Sequence, residues 1–380
     1  MKKGISVCLV IAMTCIFFAG CGKTKSLNGA EITLITDKGN IDDKSFNQAA
    51  WEGVVAYATK NEIKHSYIKP KTGTNDGYLA AIDQAVENGA KVIVTPGNLF
   101  EVAVYEAQTK YPDIKFILVD GEPHTEDYIT YETKSNVASI MYAEQESGYL
   151  AGYAAVKDGM TKLGFMGGMC VPAVRAFGYG FLQGAEEAAL ELGLADNSVT
   201  VIYHYTGDFA ESDTNKATAK TMYQQGTEVI FACGGSVGKS VMSAALEAGE
   251  KVIGVDVDQR YDSPTVITSA MKGISESVIA VLDSIYKTNS WSTYSGTTTY
   301  FNAKNDGVGL PTIVIDDKKA DAFDRFTTFK KADYDAIFAK LVSGEIVPIR
   351  DITIADSKGY ATTEELNTGL KLTKLKIVVD

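Results

Sequence analysis

The sequence predicts an α/β protein made of two similar units, each a parallel sheet flanked by helices. From residue 31 onward, short β-branched runs alternate with amphipathic stretches of helical length, the pattern of strands laid side by side with helices between them. Several runs, such as Val92-Ile93-Val94 and Phe116-Ile117-Leu118-Val119, are apolar without alternation, as expected of strands covered on both faces. The runs also end repeatedly on Asp or Gly, at the carboxyl ends where such sheets bind their ligands.

Taken in order, residues 31–36 form the first expected strand, ending at Asp37. Residues 45–60 are expected to be helical, because Phe46, Ala49, Ala50, Val54 and Tyr57 share one face. A strand at 64–68 and a helix at 76–88 follow. Then come a strand at 91–95 stopped by Pro96-Gly97, a helix at 99–111, and a strand at 115–119 ending at Asp120-Gly121. The pattern then repeats, with helices at 138–157, 174–192, 213–225 and 237–248. Strands at 162–166, 200–205, 228–232 and 251–255 alternate with them, the last ending at Asp256. A further strand is expected at 265–269, helices at 275–287 and 332–344, and a β-prone stretch at 294–300. The tail beyond Ile354 is weakly patterned.

The N-terminus has the form of a secretory leader: Lys2 and Lys3, a short apolar core from Ile5 to Phe18, then small residues before Cys21. Ala19-Gly20-Cys21 is similar to a lipobox, which makes Cys21 the expected site of lipidation, with 1–20 as signal and 21–30 as a polar tether. Cys8 and Cys15 would leave with the signal, so the mature chain keeps only Cys170 and Cys233 besides Cys21. Two cysteines make no disulfide framework, and whether they pair is open. His65, His124 and His204 lie far apart, and no Cys/His cluster has metal spacing, so neither metal nor cofactor is expected. A net charge of −12 excludes nucleic acid as the partner, because a phosphate backbone calls for a basic face.

The strand ends carry the chemistry. Asp37, Asp120 and Asp256 are acceptors for hydroxyl donors, and two carboxylates can hold a vicinal diol. Aromatic residues near several of these strand ends offer flat walls that suit a flat ligand, each such stack being worth about 1–3 kcal/mol in nucleic-acid sites. A diol joined to a flat ring is a nucleoside. The segment Gly234-Gly-Ser-Val-Gly-Lys-Ser240 imitates a phosphate-binding loop, but Cys233 stands where that loop needs its first glycine. No nucleophile elbow, zinc-protease motif or acid/base pair stands out, and no catalytic residues are assigned.

The first loop, Thr36-Asp-Lys-Gly-Asn-Ile-Asp-Asp-Lys-Ser-Phe-Asn-Gln48, resembles the signature of the basic membrane protein family, purine nucleoside receptors of ABC importers. Tyr149-Leu-Ala-Gly152, Gly164-Phe-Met-Gly-Gly168, Tyr205-Thr-Gly-Asp-Phe209, Ile253-Gly-Val-Asp-Val-Asp-Gln259 and Thr268-Ser-Ala-Met-Lys272 extend the resemblance, while Pro96-Gly97-Asn98-Leu99-Phe100 departs from it. The resemblance implies a two-lobed type I periplasmic-binding-protein fold. Lobe one would comprise 31–133 with 259–292, and lobe two 134–258 with 293–380. It further implies that Phe46 stacks on the base, with Phe177 or Phe209 closing the other face, and that Asp37 and Asn47 read the base edge. Asp120 and Asp256 would take ribose hydroxyls, with Lys272 beside them. The implied partners are a purine nucleoside and the permease and ATPase of an ABC importer, met by a protein lipid-anchored on the outer face of the cell membrane. The same carboxylates would also suit a nucleoside hydrolase with a metal-activated water, and the same cavity a surface sensor or adhesin for a sugar or another small ligand.

Overall fold

The computed structural model describes residues 29–315 and 321–380; the leader, Cys21 and most of the tether lie outside the described residues. The strands are β1 (Ile32–Ile35), β2 (His65–Ile68), β3 (Val92–Pro96), β4 (Lys115–Val119), β5 (Val137–Tyr142), β6 (Lys162–Gly167), β7 (Val199–Tyr205), β8 (Val229–Cys233), β9 (Lys251–Asp256), β10 (Val266–Lys272), β11 (Thr297–Phe301), β12 (Val308–Gly309) and β13 (Leu375–Val379). The helices are α1 (Phe46–Lys60), α2 (Asn75–Glu87), α3 (Glu101–Lys110), α4 (Glu144–Lys157), α5 (Pro172–Glu191), α6 (Asp213–Gln224), α7 (Val237–Ala248), α8 (Ile274–Tyr286), α9 (Lys331–Ser343) and α10 (Thr363–Leu370).

The strands form two sheets, ordered β11-β5-β4-β3-β1-β2 and β12-β10-β9-β8-β6-β7-β13. Every pairing is parallel except the short β12 against β10. Strand order reverses between β1 and β3 in the first sheet and between β6 and β8 in the second. At such a point the flanking connections leave to opposite faces and open a crevice at the carboxyl ends. Central strands such as β1, β3 and β8 are buried along their whole length, which is why their sequences are unbroken apolar runs.

The chain crosses between the units after β5, after β10 and after β11. These crossings correct three expectations. Residues 138–157 are not one helix: Val137–Tyr142 is a strand of the first sheet, and α4 starts only at Glu144. Its apolar residues fit a helical face as well as a strand, and pairing with β4 and β11 decides the outcome. Within 259–292, expected wholly in the first lobe, β10 pairs with β9 of the second sheet, and only α8 returns to pack on α1. Conversely β11, expected in the second lobe, is the edge strand of the first sheet. The pairing of β11 with β5 joins residues more than a hundred positions apart, so local pattern carries no mark of it. The tail, unassigned from sequence, forms α10 and then β13, which lengthens the second sheet beside β7.

Helices α4 and α5 hold the second unit together at unusually short range. A Cβ added at Gly148, Gly152, Gly180 or Gly184 would overlap a backbone carbonyl of the facing helix: that of Phe177, Phe181, Gln145 or Tyr149 in turn. This glycine seam presses the first turn of α4, at the first crossing, onto the backbone of Phe177. Gly152→Ala is expected to destabilise the protein by about 2–3 kcal/mol through overpacking, despite the roughly 1 kcal/mol gain in helix propensity. Urea unfolding checks this, and a variant as stable as the parent would refute so tight a seam.

Candidate functional site

A cavity lies at the carboxyl ends of both sheets, with about 600 Å³ of space unfilled by protein, part of it open to solvent. Asp37, Phe46, Asn47, Asp120, Phe177, Phe209, Asp256 and Lys272 all line it. The structure therefore brings together the eight residues named from sequence as ligand-binding. Asp43, Gly39, Asn98, Val171, Ala173, Val174 and Val255 line it too, along with Gly97, Cys233, Gly234 and Gly235 at the two reversal points.

At one end, Asp37 closes β1 and is buried. Its Oδ1 accepts from the backbone N of Gly39 at 2.7 Å and from Asn47 Nδ2 at 2.8 Å. Asn47 Oδ1 accepts from the backbone N of Asp37 at 3.2 Å, and its Nδ2 also donates to Asp43 Oδ2 at 3.0 Å. Both amide hydrogens of Asn47 are thus used within the protein, so Asn47 orients Asp37. Burial pushes the Asp37 carboxyl up to about 6, against the lowering effect of the bonds from Gly39 and Asn47. Asp43 was not foreseen. It accepts from the backbone N of Ser45, Asn47 and Gln48 at 2.9, 3.0 and 3.1 Å, so it rather than Ser45 satisfies the free N–H groups that open α1. Its signal was present in sequence as an Asp just ahead of a helical run. Gly97 has φ 114°, a conformation that favours glycine, and a Cβ there would stand 3.4 Å from Asp37 Oδ2 and 3.7 Å from the Phe46 ring.

The rings come from both units. Phe46 opens α1 and is half-buried. Phe177 is buried on α5, edge-on to Phe231 at 5.9 Å between centroids. Phe209 lies over Gly168, where a side chain would strike its ring. Phe177 and Phe209 both face the cavity, so the structure leaves both available as a second wall.

At the other end, Lys272 at the tip of β10 is buried among three carboxylates. It is paired with Asp120 of the first sheet, lies 3.5 Å from Asp256 of the second, and lies 3.8 Å from Glu144 at the first crossing. Its ammonium also lies 4.6 Å from the Phe46 ring centre and 5.4 Å from that of Phe177. Burial alone would lower the lysine pKa, but the attraction of Asp120, Asp256 and Glu144 overrides it, and Lys272 is held above its ordinary value. Burial raises the Asp120 carboxyl, with Lys272 opposing and Glu144 reinforcing the shift. Asp120 and Asp256 both adopt left-handed backbone, φ 57° and 66°, a conformation Asp tolerates better than most residues. Ser45 of the first unit donates to Asp256 of the second. Asp120 Oδ1 is buried with no hydrogen-bond partner among the described residues.

Cys170 and Cys233 are both free thiols. Gly234 and Gly235 shape the cavity wall, and Lys239 of the phosphate-loop imitation donates to the backbone O of Asp42 across the units at 3.0 Å. Among the described residues, no group of three or more His, Cys, Asp or Glu side chains is placed to hold a metal ion, and no helix is long and apolar enough to cross a membrane.

Two parallel sheets joined by three crossings, with one cavity at the carboxyl ends of both, form the periplasmic-binding-protein architecture of ABC solute-binding proteins. A solute-binding protein from Aeropyrum pernix K1 superposes with a TM-score of 0.73 at 23% identity, covering 90% of this chain and 99% of its own. One from Conexibacter woesei gives 0.62 at 21%, with 84% and 99% covered. The chain belongs to the family described as ABC transporter substrate-binding protein PnrA-like, whose family model matches residues 31–342. It is 30% identical to the ABC transporter nucleoside-binding protein BmpA of Lactococcus lactis subsp. cremoris, over 82% of this chain and 92% of that protein. It is 31% identical to basic membrane protein A1 of Borrelia garinii subsp. bavariensis, over 74% and 81%. Members of this family are substrate-binding rather than catalytic proteins, and they work outside the cytoplasm.

Lys272→Met is expected to destabilise the protein by about 3–5 kcal/mol near neutral pH, because it strands buried carboxylates. Those carboxylates would then have folded-state pKa values above the unfolded ones, so the folded state binds more protons and stability falls as pH rises. The loss should accordingly shrink in acid, as denaturant titrations at several pH values will show.

Proposed function

We propose that the cavity binds a purine nucleoside and that the chain is a lipid-anchored receptor handing it to an ABC permease. The observation that supports this most is the distribution of donors, acceptors and rings along one cavity. Phe46 and a second-unit ring offer two walls for a flat base. Asp37 offers an acceptor to ring or amino N–H groups at one end. The pair Asp120 and Asp256, with an unpartnered carboxylate oxygen on Asp120, offers acceptors to a ribose diol at the other. A relative named as nucleoside-binding adds weight.

The mechanism is a population shift. A ligand touching both units favours the arrangement in which they meet by its difference in affinity for the two states. Carboxylates that accept N–H and O–H groups discriminate strongly against analogues lacking them, because an unmet buried carboxylate is costly.

Calorimetric titration with inosine, guanosine, adenosine, cytidine and ribose is expected to show heat with purine nucleosides and none with ribose. Absence of binding by every purine nucleoside would overturn the reading, and release of free base from inosine would point to hydrolysis instead. Phe46→Ala should weaken binding by about 1–3 kcal/mol if the ring stacks. Asp37 accepts hydrogen bonds from its ionised form, which predominates above about 6, so affinity should fall as pH drops from about 7.5 to 5; a flat profile would remove Asp37 from base recognition. Cys21→Ala should move the protein from the membrane fraction to the medium.

A further inference from the structure

The chain continues past residue 342, where the family match ends, and its tail returns to the centre of the molecule. The tail is anchored along the second unit. Gln183 of α5 holds Ile349 by both backbone atoms, accepting from N at 2.8 Å and donating to O at 2.9 Å. The Cys170 thiol donates to Gly359 O at 3.1 Å, Glu186 accepts from the backbone N of Thr373 and Lys374, and β13 pairs with β7. Between these anchors the strap passes the first crossing. There Arg350 Nη1 donates to Tyr142 O at 2.7 Å and to the Glu144 carboxylate.

We propose that Arg350 is a positioning residue of the ligand site: by holding Glu144 it leaves Lys272 to bridge Asp120 and Asp256, and so sets ligand affinity from outside the cavity. For its link to affinity this rests on the nucleoside reading above. Neither Arg350 nor Glu144 lines the cavity, so the effect passes through Lys272.

Glu144 is fully buried. One of its oxygens is taken by Arg350, and the other, 3.8 Å from Lys272, has no hydrogen-bond partner among the described residues. Around this point stand three carboxylates, Asp120, Asp256 and Glu144, and two cations, Lys272 and Arg350. Arg350 also faces the exposed Asp351, 3.9 Å away, and feels Asp120; the Tyr142 and Tyr300 hydroxyls, the Cys233 thiol and the Glu122 and Glu276 carboxylates are further titratable groups around the cluster. With Arg350 removed, one ammonium would face three carboxylates. A buried carboxylate that loses its partner draws in the nearest cation or takes up a proton. The nearest cation is Lys272, and its move toward Glu144 would loosen its contact with Asp120. The strap thus fixes by charge which carboxylates Lys272 serves.

The test uses the whole chain with its tail, comparing the parent with Arg350→Gln, Arg350→Lys and the double variant Arg350→Gln/Glu144→Gln. Two readouts are taken between about pH 6 and 8: the Cε resonance of Lys272 in 13C-lysine-labelled protein, assigned with Lys272→Arg, and inosine affinity by calorimetry. Arg350→Gln is expected to move the Lys272 resonance, to make it pH-dependent, and to weaken inosine about tenfold, within the range of coupling found for charges in one network. Arg350→Lys should lose less, and the double variant should recover most of both signals, because without the carboxylate no cation is needed. A single variant that fails to fold while the double variant folds supports the same coupling. An unmoved resonance in a folded Arg350→Gln, or a loss of affinity that the double variant does not recover, would overturn the proposal. If the resonance moves and recovers but the parent binds no inosine, Arg350 keeps its positioning role and the nucleoside reading falls.

Discussion

Lys272 is the point on which the two units converge. Its ammonium is buried and paired with Asp120 at the end of β4, within reach of Asp256 at the end of β9 and of Glu144 where the chain first crosses over. Desolvating an ion costs several kcal/mol in a real protein, and a buried ion pair seldom repays more than that. The cluster is therefore poorly explained as a source of stability. What it provides is a fixed geometry: two carboxylates from different sheets share one counter-ion, and the distance between the sheets at the cavity floor follows from that sharing. The left-handed backbone at both Asp120 and Asp256 is consistent with chain geometry adjusted to bring these side chains inward, since local strain persists where surrounding structure holds it.

The rest of the frame serves that floor. The glycine seam between α4 and α5 lets the helix that begins at Glu144 lie against the backbone of Phe177, so the crossing and the second-unit ring are packed directly together. On the first unit, Ser275 at the start of α8 donates to the backbone O of Ala49 at 2.7 Å, and Gly53 leaves room for the backbone of Ser275. The second crossing is thereby tied to α1, which carries Phe46 and Asn47. The first two crossings are thus packed against helices that carry part of the cavity lining.

Much of this was legible in the sequence, for a definite reason. In a parallel sheet the strand ends fall on one edge, so once their strands were recognised Asp37 and Asp120 had to share the carboxyl edge of the first sheet and Asp256 had to stand at that of the second, and the loop after β1 carried Phe46 and Asn47 with it. The structure gathers all eight named residues around one cavity. What escaped notice depends on contacts far apart in sequence. Val137–Tyr142 has apolar residues at spacings compatible with either element, and only its neighbours β4 and β11 make it a strand. β10 and β11 exchange units because the chain crosses over at their ends, which no local pattern records. Glu144 and Arg350 lie 206 positions apart; each reads in isolation as an ordinary surface charge, and only their meeting under the strap joins them to the Lys272 cluster.

Three further polar contacts between the units bear on how much of the proposed closure a ligand would supply. Lys239 reaches the backbone O of Asp42 at 3.0 Å, Gln259 donates to the backbone O of Lys44 at 2.8 Å, and Lys44 lies 3.7 Å from Asp262. All three land on the loop between β1 and α1, the same loop that places Asp37 and Phe46 in the cavity. Lys44 and Asp262 are solvent-exposed enough, at 49% and 25%, that their pair contributes at most about 1 kcal/mol. A neutral hydrogen bond such as that of Gln259 adds a similar net amount. Such contacts orient the loop without locking it. Shifting a two-state equilibrium decisively takes a differential affinity of about 5 kcal/mol, and under the proposed reading a guest held by Phe46, by a ring of the second unit and by Asp120 and Asp256 would have the number of contacts that this requires. Weak direct latches and a strong shared counter-ion together make the arrangement of the units responsive to what the cavity holds.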